Sequence, residues 1–126
     1  MSKKKAHPPK RILVIDDESD VREIVSEMIE DLGFDILGAE SGEEALEFME
    51  QTPVDLVISD VKMAGMNGLD LARNIRTRFP DLPLALMSAF LNEELRRLVE
   101  DRIVDSLIAK PFQMSELRGV IQQLAR

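Results

Sequence analysis

Apolar residues along this chain follow two alternating rhythms. Short apolar runs at 12–15, 54–59, 84–87 and 104–109 have the length of strands, and a continuous one such as Ile12 to Ile15 suits a strand buried on both faces. Between them the spacing changes. Val21, Ile24, Val25, Met28, Ile29 and Leu32 recur in steps of three and one, the stripe of an amphipathic helix, and Gly33 is placed to stop it. Residues 34–39 read as a second strand. Ser41 with Glu44 three positions on predicts a capping box, opening a short helix that runs to about Gln51. Pro53 punctuates before the next strand. Asn67-Gly68 precedes a helix with Leu69, Ala72, Ile75 and Phe79 on one face, and Pro80 and Pro83 end it. Leu91, Leu95, Leu98 and Val99 mark a fourth, less regular helix, and Met114, Leu117, Val120, Ile121 and Leu124 a closing one.

Five strand–helix units in succession predict an α/β fold with a parallel sheet whose strands all finish on one edge. Right-handed crossovers that start mid-sheet, run to one edge and return to the other side give the strand order 2-1-3-4-5. Ligands of such sheets lie outside the carboxyl ends of the strands, where the order reverses. Strands one and three are neighbours at that point.

Composition narrows the reading. A chain of 126 residues with 44% apolar sequence fits one domain with a single core system. No apolar stretch approaches the roughly 18 residues of a membrane span. The start, residues 1–10, is basic and carries Pro8 and Pro9 but has no apolar segment behind it, so it reads as a disordered, solubilising tail rather than a secretory signal. The folded domain is expected over 11–126. The absence of cysteine removes disulfides, thiolate metal sites and thiol nucleophiles, and a cytoplasmic location is the natural expectation. A formal net charge of −8 argues against direct nucleic-acid binding, which needs clustered Lys and Arg.

The strand endings carry the chemistry. They are Asp16-Asp17, Asp60, Ser88 and Lys110-Pro111. Singly each is ordinary: Asp and Ser after a strand commonly serve as turn or cap residues, and a Lys can merely balance acids. Together they converge on one rim. Three carboxylates there repel one another unless a cation neutralises them. With no Cys, and the one histidine (His7) in the tail, oxygen-only ligands point to Mg²⁺. The Lys110 ammonium can hold a phosphoryl oxygen as a point charge, and Ser88 offers a hydroxyl donor to the same centre. Pro111 fixes the loop, through a bond that X-Pro chemistry allows to be cis.

Val14-Ile-Asp-Asp-Glu18, Val57-Ile-Ser-Asp60, Met63-Ala-Gly-Met-Asn-Gly68, Leu86-Met-Ser-Ala89 and Lys110-Pro-Phe112, in this order, resemble the receiver domain of two-component response regulators. The resemblance covers residues 11–126 and implies a flavodoxin-like, doubly wound (βα)5 fold of the single-domain, chemotaxis-regulator type. The order 2-1-3-4-5 is shared by that family, so topology and resemblance are not independent. The resemblance makes Asp60 the phosphoacceptor, attacking the phosphohistidine of a sensor histidine kinase or histidine phosphotransfer protein. It implies that Asp17 binds Mg²⁺ directly, Asp16 through water, and that Asp60 and the backbone carbonyl of Lys62 complete the protein ligands. Lys110 and Ser88 would hold phosphoryl oxygens, with Ser88 drawing its loop inward. Such chemistry falls on the protein's own residue, so the chain is not expected to be a conventional enzyme.

Three positions depart from the family pattern. Ala64 stands where Pro is usual, which loosens the loop after Asp60. Leu107 stands where Tyr or Phe is common, so the inward-turning ring of the usual readout is missing and a different or weaker output surface is expected. Lys62 and Phe90 flank the site, either shielding an acyl phosphate from water or pointing to solvent. The downstream target is unidentified, and homodimerisation is left open. The competing reading is a protein-interaction module that works without phosphorylation. A flavin-type cofactor binder fits poorly, because the first loop, Asp-Asp-Glu, would repel phosphate.

Overall fold

A computed structural model describes residues 10–125. Strands β1 (Arg11–Ile15), β2 (Asp35–Ala39), β3 (Leu56–Asp60), β4 (Leu84–Ser88) and β5 (Ser106–Ala109) alternate with helices α1 (Ser19–Asp31), α2 (Gly42–Gln51), α3 (Gly68–Arg78), α4 (Glu93–Glu100) and α5 (Met114–Leu124). All pairings are parallel, and the sheet order is β2-β1-β3-β4-β5, as expected. The basic tail, apart from Lys10, lies outside the described residues. Among these, no helix is long and apolar enough to cross a membrane.

Because side chains alternate across a strand, each run feeds two cores. Leu13, Ile15, Val57, Leu84 and Leu86 pack with α2, α3 and α4. Ile12, Val14, Leu56, Ile58, Ala85 and Met87 pack with α1 and α5, through Val25, Ile29, Leu117 and Ile121. The sheet is thus buried on both faces. Register places Ile15 opposite Ser59 and Asp60 opposite Met87, so Asp16 and Asp60 emerge at the same edge.

Several details differ from the pattern reading. Ile24 belongs to the expected apolar stripe of α1 but is 59% exposed. Leu91 precedes α4 rather than lying in it. Ser41 does accept the Glu44 amide (3.1 Å), but the Glu44 carboxylate takes the Glu40 amide (3.0 Å), one residue before the position a capping box requires. The third and fifth strands begin two residues later than their apolar runs, and the same device explains both. Asp55 accepts the Arg11 amide with Oδ2 (2.8 Å), and Asp105 accepts the Leu84 amide with Oδ2 (2.8 Å). Each aspartate also donates its own amide to the same residue's carbonyl, Asp55 to Arg11 (2.7 Å) and Asp105 to Leu84 (2.8 Å), so these segments lead into the sheet with a carboxylate in the place of a ladder carbonyl.

Two sets of contacts hold the frame, one at each end of the sheet. Arg76 on α3 donates from Nε to the Ile103 carbonyl (3.0 Å), and from its terminal nitrogens to the carbonyls of Pro80 (2.7 Å) and Leu82 (2.9 Å) and to Asp105 Oδ2 (2.9 Å). One guanidinium thereby ties the end of α3 to the segments entering β4 and β5. At the opposite edge, the Gly68 amide donates to the Val61 carbonyl (2.8 Å). A Cβ at position 68 would stand 2.5 Å from the Asp60 carbonyl oxygen and 2.7 Å from Val61 Cα, so only glycine lets α3 start this close to the end of β3.

Arg76→Met, which keeps the stem but strands several carbonyls, is expected to lower stability by about 2 kcal/mol, read from the urea unfolding midpoint. Gly68→Ala must push backbone against backbone. Its expected cost is also about 2 kcal/mol, accompanied by shifts of the Asp60 and Val61 amide resonances that Arg76→Met does not produce.

Candidate functional site

Each member of the site is delivered by a strand that ends at this rim. Asp16 follows β1 with its amide donating to the Ala39 carbonyl (3.1 Å), one last rung against β2. The residue is fully buried. Its Oδ1 accepts the Glu18 amide (3.0 Å), closing a turn into α1. The turn role that Asp commonly plays after a strand is therefore real here, but it uses only one oxygen and leaves α1, whose N-cap is Glu18, without a side-chain cap. The other, Oδ2, faces Lys110 (3.3 Å). Asp17 is exposed, and its Oδ2 accepts the Ala64 amide (3.0 Å). Ala64, which stands where proline is usual, supplies an N–H that proline lacks and so bonds the loop after β3 to the acidic pair.

Asp60 ends β3 and is 7% exposed. Lys110 Nζ donates to its Oδ1 at 2.9 Å. The carboxylates of Asp16, Asp17 and Asp60 each offer an oxygen within 4.8 Å of the others, close enough to share one small cation. A single ammonium does not neutralise three acids, and oxygen donors without nitrogen or sulfur suit a hard divalent ion. The donor set therefore fits Mg²⁺.

Electrostatics follow from burial. Loss of solvent raises the Asp60 carboxyl above its ordinary 3.8; the hydrogen bond and charge of Lys110 oppose this without cancelling it, and the Asp16 charge adds to the rise. Burial alone would lower the Lys110 ammonium, but its bonds to Asp60 and Asp16 outweigh that and hold it above 10.5. The lysine is thus firmly charged, and the Asp60 carboxyl is held above the ordinary range of a solvated aspartate.

The remaining expected residues are brought to the same place with different orientations. A cleft of about 230 Å³ is lined by Glu18, Asp60, Lys62, Ser88, Ala89, Phe90 and Lys110. Ser88 borders it, but its hydroxyl donates to the Phe90 carbonyl (2.9 Å) and accepts the Phe90 amide (3.1 Å). In this conformation it caps its own loop and does not serve the centre. Phe90 is 73% exposed, so it edges the cleft with most of its surface in solvent and does not cover Asp60. The Lys110–Pro111 bond is cis. Leu107 packs, partly buried, against the core on the α4 side. Two contributors escaped the pattern reading. Gly68 registered only as part of a motif, although a glycine following Asn at a helix start hints at close approach. Arg22 gave no signal beyond a polar position on an amphipathic helix.

Comparison with known proteins agrees with this geometry. The family model described as the response regulator receiver domain matches residues 12–122. The chain is 35% identical over 115 residues to the transcriptional regulatory protein PdtaR of Mycobacterium tuberculosis, covering 90% of this chain and 56% of that protein. It spans about half the length of the curated relatives it matches. Among solved structures it is similar to the response regulator TrrA of Thermotoga maritima in complex with Mg²⁺-BeF, with 36% identity, a TM-score of 0.83, and coverage of 91% of this chain and 98% of that one. It also shares its fold with the chemotaxis protein CheY4 of Vibrio cholerae, at 24% identity and a TM-score of 0.87, covering 93% and 99%. This chain belongs to the response regulator receiver domain family, whose members are signalling phosphoacceptors rather than conventional enzymes.

Proposed function

We propose that Asp60 accepts a phosphoryl group from the phosphohistidine of a sensor histidine kinase or histidine phosphotransfer protein in the cytoplasm. The observation that carries this reading is the position of Lys110, bridging Asp60 at 2.9 Å and Asp16 at 3.3 Å beside a third carboxylate. Asp16, Asp17, Asp60 and the Lys62 carbonyl would hold Mg²⁺, which when bound neutralises charge as two anions approach. An Asp60 oxygen forms the new P–O bond while the P–N bond of the donor breaks and its electron pair leaves with the imidazole. Lys110 stays charged and holds a phosphoryl oxygen. The Ser88 hydroxyl exchanges its Phe90 partners for another, repositioning the loop after β4.

Next to the site, Val21, Ile24, Met28, Pro111 and Phe112 line an apolar groove of about 370 Å³ that also touches Lys110. Its continuity with the site and the exposed Ile24 suit it to seat the helix that carries the donor histidine. Output then depends on contacts that change with the β4–α4 loop. Leu107, without a ring to turn inward, makes the face of α4, β5 and α5 a different or weaker output surface.

Incubation with Mg²⁺ and a small acyl-phosphate donor, followed by intact mass, tests the acceptor role. One added phosphoryl group on the wild type and none on Asp60→Asn is expected; an unmodified wild type would favour the phosphorylation-independent interaction module. A second outcome follows from the raised Asp60 carboxyl. Ionised Asp60 costs stability at neutral pH, and this cost fades as pH falls through the raised value toward 3.8. Asp60→Asn is therefore expected to be more stable than the wild type near neutral pH, with the difference shrinking by about pH 4, as measured by urea unfolding at both.

A further inference from the structure

We propose that Arg22 is a positioning residue for the acidic loop, and that Gly38 is the seat that lets it act. Arg22, in the first turn and a half of α1, donates from a terminal guanidinium nitrogen to the Asp16 backbone carbonyl at 2.6 Å. That carbonyl belongs to the peptide plane joining Asp16 to Asp17. Fixing it fixes the direction in which both side chains leave the backbone, one toward Lys110 and the other toward the Ala64 amide. The other side of Asp16 is already anchored, its amide bonded to the Ala39 carbonyl. With both flanking peptides held, the two acids are presented in one arrangement before any cation arrives.

The stem of Arg22 lies across β2. A Cβ added at Gly38 would sit 3.5 Å from Arg22 Cδ, 3.7 Å from Nε and 3.8 Å from Cγ. Glycine inside a strand weakens it and commonly marks close approach by another group. Here the approaching group is the arginine stem. Alanine would just touch it, whereas the branched methyls of valine would displace it. A charge-assisted bond from a planar donor adds direction as well as strength.

This inference rests on Asp16 and Asp17 being acids of the Mg²⁺ site. A cation that merely balanced those acids would, on removal, let Mg²⁺ bind more tightly; a positioning cation has the opposite effect. Titration calorimetry with Mg²⁺ alone on the wild type, Arg22→Met, Arg22→Lys and Gly38→Val, with thermal melts in parallel, separates the two. Arg22→Met and Gly38→Val are each expected to weaken Mg²⁺ binding about tenfold. Gly38→Val does so while retaining the charge and melting no lower than the wild type, since valine favours the strand. Arg22→Lys, with its charge and a donor, recovers part of the loss. Unchanged or tighter binding by Arg22→Met, or loss of melting temperature without loss of affinity in these variants, overturns the proposal. A wild type that gives no Mg²⁺ isotherm overturns the metal reading itself, and this inference with it.

Discussion

The ammonium of Lys110 is the point on which the rim is organised. It arrives on β5, 94 residues from Asp16 and 50 from Asp60, and stands between two carboxylates that β1 and β3 deliver side by side. Without it, two buried acids would face each other across a parallel sheet, an arrangement that burial and like-charge repulsion both oppose. With it they coexist, but only partly compensated. The remaining imbalance keeps Asp60 basic and the neighbouring Asp17 available for a cation. Stability is given up at the place where chemistry needs an unsatisfied negative centre.

Much of this arrangement was legible in the order of residues. Short apolar runs suited strands covered on both faces, and segments long enough for one helix each between them left a parallel sheet as the consistent answer. Once strands one and three were neighbours, Asp16, Asp17 and Asp60 had to meet. What the order of residues could not show was how side chains would be divided among several duties. Asp16 both closes the turn ahead of α1 and faces Lys110. Ser88 sits at the expected place yet bonds its own loop, because hydroxyl orientation depends on which acceptor is nearest and not on position along the chain. The late starts of β3 and β5 were hidden for a similar reason: apolar periodicity counts Val54 and Val104, but Asp55 and Asp105 meet the neighbouring strand with an amide and a carboxylate, ahead of the regular ladder.

Glycine and arginine gave the weakest signals and carry the most specific geometry. Gly68 matters for what its missing Cβ would strike, namely backbone belonging to another element. Arg76 and Arg22 are polar positions on amphipathic helices, the class of residue that hydrophobic patterning assigns to solvent. Both in fact direct their guanidinium groups at backbone carbonyls, one below the sheet and one at the rim. Their long apolar stems let them lie along the protein surface while the planar head reaches inward. Periodicity records where a side chain leaves a helix, and a six-bond side chain need not end where it began.

Gly68 also makes the site mechanically lopsided. On the β3 side, the Asp60 backbone is wedged between the start of α3 and β4, where the Val61 amide bonds the Met87 carbonyl; it has almost no room to give. On the β4 side, Ser88 is still tied to β5 by the Lys110 amide on its carbonyl, but beyond it Ala89 and Phe90 are exposed and the turn is closed by the Ser88 hydroxyl. A group added to Asp60 therefore meets a stiff wall and a compliant one. Displacement must go where compliance is greatest, so the direction of any outgoing motion is set by a missing methyl on the opposite side of the cleft from the residues that move.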